Sequence, residues 1–205
     1  SNQGRHIKLK TDGTYDIATV RSFTSGTNQI VDYQGGWSNY PIPNDGVIFV
    51  ENNVWVEGAI SNKRVTIAAA NLVSGSVKSI YIGKDIRYTG YTNCTDMIGL
   101  IAQGDIEIYK DSEDDLRIDA ALVAQNGRVG RKNYQGGTDT IKSLITVYGS
   151  IVSNDRAGFA WVDNNGNHIG GYTTRNIQYD NNLLYCPPPF FPTGSRYVQD
   201  LWQER

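Results

Sequence analysis

A short unit recurs along the middle of this chain, and its spacing constrains the fold more than any other feature. The unit is a β-rich run, then a turn pair, then Ile or Val. It stands at Gly58-Ala59-Ile60, Lys84-Asp85-Ile86, Gly104-Asp105-Ile106, Gly127-Arg128-Val129 and Gly149-Ser150-Ile151. The last positions are separated by 26, 20, 23 and 22 residues, and the second copy has its glycine one place early, at Gly83. A step of about 22 residues is what one coil of a β-solenoid takes up. A single coil cannot bury its inner face, but neighbours ~4.8 Å away pair its backbone groups and extend its core.

The runs around the copies suit that arrangement. Val54-Trp55-Val56, Val65-Thr66-Ile67-Ala68-Ala69, Ile80-Tyr81-Ile82, Ile106-Glu107-Ile108 and Leu144-Ile145-Thr146-Val147 mix alternating strands with short continuous apolar ones. Small residues such as Gly99, Ala102, Ala120 and Ala124 suit a crowded interior or its corners. The 22 Gly and 13 Tyr, set against one Met, favour strands and tight turns over helices. An antiparallel β-sandwich draws on the same residue types and is the alternative.

The ends read differently from the middle. Arg5 to Val20 is expected to form a hairpin turning at Asp12-Gly13, and Phe159 to Ile169 a second one turning over Asp163 to Gly166. Terminal caps of this kind protect the open end of a stack. The expectation is therefore one all-β domain over 1–205, a short right-handed parallel β-solenoid with β-hairpin caps. It divides into an N-terminal β-cap over 1–45, rungs over 46–152, and a hairpin with a closing tail over 153–205.

Charge and composition remove some functions. The net charge of -2, without a long basic run, argues against nucleic acid as a partner. No apolar stretch is long enough to span a bilayer. Ser1-Asn2-Gln3 reads as a cut end, so membrane contact is expected only through an N-terminal segment outside this chain. Cys94 and Cys186 could pair in an exported protein, closing a long loop worth about 4 kcal/mol, or remain two unlinked thiols.

Candidate chemistry is sparse. His6 and His168 are the only histidines, and no G-x-S-x-G elbow occurs. Two distant Cys and two distant His lack zinc-ligand spacing, so no metal and no cofactor is expected. Asp111 to Asp115 and Asp163 to Asn167 are rich in oxygen but do not follow the calcium-loop pattern, and read as solvated turns. Asp85, Asp105 and Asp119 lie in or beside rungs. Asp105 and Asp119 with an Arg could do acid–base work on a glycan, whereas Asp85 and Asp105 occupy equivalent places that suit capping of corner N–H groups. Tyr33, Trp37, Tyr40, Tyr88, Tyr91 and Tyr134 sit in or near expected loops, where they could serve as platforms for sugars or simply pack on the flank.

The C-terminal stretch carries Tyr179-Asp180, Leu183-Leu184, then Pro187-Pro188-Pro189-Phe190-Phe191-Pro192, and later Trp202. The prolines hold it extended and outside any central strand, so it reads as a structural closing tail laid on the stack. Together with Val54-Trp55-Val56-Glu57-Gly58, Arg64 to Ala68 and Met97 to Ala102, this tail resembles an uncharacterised bacterial cell-envelope domain family. The resemblance covers roughly Gly46 to Glu204. Members of that family often follow a pilin-like N-terminal helix, as in minor type IV pilin-like proteins. It implies an exported location, at the cell surface or outside the cell, and partners among pilus or envelope subunits or surface glycans. The expected role is a non-catalytic structural or adhesive module, with a small carbohydrate-active or glycan-binding solenoid protein as the alternative.

Overall fold

The computed structural model describes residues 2–73, 75–92, 94–134 and 140–192. The described residues form an all-β fold with no α-helix and a single 3-10 turn at Asn181–Leu184. Fourteen strands join one mixed sheet, which does not close into a barrel.

Three parallel ladders organise the chain. The first is built from β1 (Gly4–Leu9), then, beyond the hairpin strands β2 (Thr14–Phe23) and β3 (Ile30–Pro41) and a further strand β4 (Val47–Val50), from β5 (Asn53–Ile60). It skips β6 (Arg64–Ala69), takes β7 (Ile80–Tyr88), skips β8 (Met97–Ala102), takes β9 (Ile106–Ile108), passes over β10 (Asp115–Ala124) and ends at β11 (Val129–Arg131). The skipped strands β4, β6, β8 and β10 make the second ladder. In the third, the C-terminal part of β7 meets β10, followed by β12 (Ile141–Ser153) and finally β14 (His168–Tyr179), which the short β13 (Ala160–Val162) joins antiparallel. Parallel neighbours need a long crossover, and here the crossovers run through intervening strands instead of a helix.

Register explains why these residues pack. In the first ladder Val54 lies opposite Ile80, Ile80 opposite Ile106 and Ile106 opposite Val129; all four side chains are fully buried. The next inward column is Ile7, Val56, Ile82 and Ile108. In the second ladder Ile48, Ile67, Leu100 and Leu122 line up, and in the third Ile86, Ile118 and Val147. All of these belong to one continuous apolar cluster. Fully burying a side chain of this size contributes about 1.5–3 kcal/mol, so stacked columns supply most of the cohesion.

Outward positions follow the same alternation. His6, Trp55, Tyr81 and Glu107 are successive partners on the outer side of the first ladder. The turn between β2 and β3 folds over them: the Trp55 indole donates to the Asn28 carbonyl at 2.7 Å, and Asn28 Nδ2 donates to Glu107 at 3.0 Å. Phe23, Trp55 and Tyr81 form a second, smaller cluster there.

Both expected hairpins form, β1 with β2 and β13 with β14. The expected boundaries at 45 and 152 do not coincide with the end of the parallel pairing. β1 of the first hairpin pairs parallel with β5, and β14 of the second pairs parallel with β12. The five repeat units also fail to form one column. Ile106 does face Val129, but Ile60 faces Tyr88, Ile86 faces Ile118 and Ile151 faces Leu122. The repeat thus samples different ladders, because the chain passes through more than one strand per turn. Antiparallel pairing, which the sandwich alternative requires throughout, is confined to β1·β2, β2·β3 and β13·β14 among the described strands.

Cys94 and Cys186 are joined by a disulfide across 92 residues. From there the tail lies over the second ladder. Arg64 donates to the Pro187 carbonyl and the Thr66 hydroxyl to the Pro189 carbonyl. A Cβ on Gly99 would come within 2.9 Å of both Pro188 and Phe191, so the absent side chain is what lets the tail settle. Phe190, by contrast, is 80% exposed. Trp202 lies outside the described residues.

Candidate binding surface

The side chains that project from β1 and β5 meet two aromatics from β3 on one outer face. Ile7 and Leu9 point inward, so His6 and Lys8 point outward; β5 repeats the pattern with Val56 in and Glu57 out. Lys8 lies opposite Glu57 in the register and His6 is its diagonal neighbour. His6 Nε2 stands 3.2 Å and Lys8 Nζ 3.1 Å from Glu57 Oε1, with the Lys84 ammonium 4.0 Å from the other oxygen. Burial alone would raise the Glu57 carboxyl, but its hydrogen bonds from His6 and Lys8 outweigh that and hold its pKa at about 2.

Tyr33 and Trp37 complete this face. The Tyr33 hydroxyl is 2.8 Å from His6 Nδ1, and the two rings stack at 6.0 Å. Trp37 sits edge-on to His6 at 5.1 Å, and Lys8 Nζ lies 4.5 Å from its ring centroid. Desolvation, followed by the Glu57 charge, raises the Tyr33 hydroxyl pKa. Trp37 remains 41% exposed. The result is an aromatic surface whose rings are held by a hydrogen-bonded His–Glu–Lys group.

The other expected aromatics are distributed elsewhere. Tyr40 is exposed beside Tyr15, farther along β3. Tyr91 packs with Tyr88 and Tyr148 on the third ladder, and only Tyr91 is appreciably exposed there. Two of the six do not face outward. Tyr88 is buried, with its hydroxyl 3.4 Å from the Met97 sulfur and the Ile98 amide. Tyr134 is buried too, donating to Glu107 at 2.6 Å. Each hydroxyl has a partner inside, so the interior accepts the ring, and desolvation raises both pKa values. In the sequence His6 stands out only as one of two histidines and Glu57 only within the Val54 to Gly58 segment, while Lys8 does not stand out at all; the outward parity of two strands is the signal that marks them together.

The acidic residues have assigned partners. Asp85 accepts from the Arg117 amide at 2.7 Å, and Asp105 from the Arg128 amide at 2.9 Å, so each satisfies a backbone N–H; Asp85 and Arg117 lie within strands, not at a corner. Asp119 is fully buried and accepts from the Tyr88 amide, the Tyr91 hydroxyl and Arg117 Nε. The Tyr91 pKa is accordingly pushed up to about 12, by desolvation first and then by Asp119. Asp114 bonds Ser143, and Asp163 closes its own turn through Asn165 and Asn167. Among the described residues, no three His, Cys, Asp or Glu side chains are placed to hold a metal ion.

No protein-family model matches the chain, and no curated protein or solved structure matches it.

Proposed function

We propose that the three parallel ladders are the walls of a short right-handed β-solenoid, and that the chain is an exported, non-catalytic module of the cell envelope with a structural or adhesive role. The observation that carries this reading is the Cys94–Cys186 disulfide, which ties the proline-aromatic tail to the stack. Such bonds persist in oxidising compartments outside the cytosol. The closing tail also supports the resemblance to envelope domains that follow a pilin-like helix, and with it a place among pilus or envelope subunits.

The Tyr33–Trp37 face supports the adhesive side of the role, with surface glycans as the partner class. A glycan-cleaving alternative would need Asp105 and Asp119 together in a groove. Asp119 is instead enclosed by three donors, and Asp105 caps a different ladder, which favours the non-catalytic reading. Fractionation of cells carrying the full-length native protein tests the proposal. Recovery from the envelope or the medium agrees with it, and recovery solely from the cytosol contradicts it.

A further inference from the structure

An open groove of about 800 Å³ lies where β12, β13 and β14 meet the segment that follows β12. Three arginines, Arg128, Arg156 and Arg175, line it, together with Trp161, His168, Ile151 and Ile177. Among the described residues, no Asp or Glu contributes to the lining. Arg175 donates to the Tyr172 carbonyl, and Arg128 lies 5.6 Å over the Trp161 ring; among the described residues none of the three forms an ion pair with a carboxylate. A protein with net charge -2 has thus gathered three arginines in one concavity without a carboxylate beside them among the described residues.

The walls are held in place before any ligand arrives. Trp161 Nε1 donates to the Arg131 carbonyl at 2.9 Å, fixing the indole. The segment bearing Arg156 is tied back by Asp155 N to the Gly127 carbonyl, by Gly158 N to the Val129 carbonyl and by Arg131 N to the Gly158 carbonyl. Gly130 permits that approach, since a Cβ there would fall 2.2 Å from the Gly158 oxygen. Little ordering remains to be done on binding.

We infer that this groove binds an acidic glycan, a short run of sugar residues bearing carboxylates. Guanidinium groups meet carboxylates through paired N–H donors, and a fixed indole with an apolar floor offers a surface to the C–H face of a sugar ring. The volume suits a small oligomer. Three cations fall short of the run of phosphate contacts that a nucleic acid requires, and phosphate recognition alone would make no use of the Trp161–Ile151–Ile177 floor.

Calorimetric titration of the purified protein with trigalacturonate, its methyl ester and hexathymidylate tests the assignment, at about 50 and about 300 mM salt. Trigalacturonate is expected to bind and to weaken with salt, while the ester does not bind. Both Arg156 and Arg175 are exposed, so Arg156→Gln with Arg175→Gln should leave the melting temperature unchanged and weaken binding at least about tenfold. Trp161→Ala should weaken it severalfold and Trp161→Phe should restore most of it. Absence of trigalacturonate binding, equal binding of the ester, or tighter binding of hexathymidylate that ignores Trp161→Ala would each overturn the assignment. The groove is tested on purified protein, so its failure leaves the envelope location untouched.

Discussion

Cys94 and Cys186 stand 92 residues apart in the chain and are bonded to each other, so the tail is covalently tied to the flank on which it lies. The bond closes the loop between β8's approach and the tail, and within it Asn182 also donates to the Tyr91 carbonyl at 2.9 Å. A cross-link of this span restricts the unfolded chain far more than the folded one. Cys94→Ala with Cys186→Ala should therefore lower stability by about 2–5 kcal/mol. Denaturant unfolding with and without reductant measures this; equal midpoints would show that the bond contributes nothing.

Glu57 sets an acid limit. Its ordinary value of 4.5 falls to about 2 in the folded protein, so the unfolded chain takes up a proton first as pH drops. The stability contributed by its bonds to His6 and Lys8 is present above about pH 4.5 and is lost as pH falls towards 2. Glu57→Gln should flatten the dependence of melting temperature on pH across that window. An unchanged slope would mean that the carboxylate is not held as described.

Gly58 adopts φ +107°, and a Cβ there would sit 2.2 Å from the Leu9 carbonyl oxygen, at the last register pair of β1 and β5. Gly58→Ala should destabilise by about 1–3 kcal/mol, through strain and displacement of β1 together. Gly35, at φ +77°, has nothing within 4 Å of a built Cβ, so Gly35→Ala should cost only about 1 kcal/mol, the conformational part. Thermal unfolding of the two variants separates strain from contact. Equal losses would contradict the close approach at Gly58.

Asp119→Asn removes a charge that is fully buried beside Arg117. The amide can still accept from Tyr91 or the Tyr88 backbone, but the ion pair is lost, and a cost of about 2–4 kcal/mol is expected. A loss confined to a few tenths of a kcal/mol would show that the carboxylate is not structural, and would reopen acid–base roles for it.

The all-β class, the terminal hairpins and the backbone N–H bonds of Asp85 and Asp105 were legible in the sequence because they depend on local chemistry: turn residues, β-branched runs and short carboxylates. The register was not. Ile60 and Ile86 look equivalent in the repeat, yet Ile60 pairs with Tyr88 while Ile86 pairs with Gly58 and Ile118, because the β5·β7 register, which shifts between Val56 and Gly58, leaves the two copies two residues out of step. The His6–Glu57 contact was hidden for the same reason, since it follows from the pairing of β1 with β5. Whether Tyr88 and Tyr134 serve as platforms or as packing was open in the sequence, because residue type does not tell whether a hydroxyl finds Met97 or Glu107 inside. Arg128, Arg156 and Arg175 are isolated in sequence and share a groove only after the ladders form.

The central claim, an exported module closed by its disulfide, is tested most directly on intact cells carrying the full-length native protein. Thiols are blocked in place with an alkylating reagent, peptides are released from the cell surface by protease, and the fragments are mapped by mass spectrometry without reduction. The account predicts that surface-released fragments contain the linked Cys94–Cys186 peptide. Recovery of Cys94 and Cys186 only as alkylated free thiols, in protein found only after lysis, would contradict it.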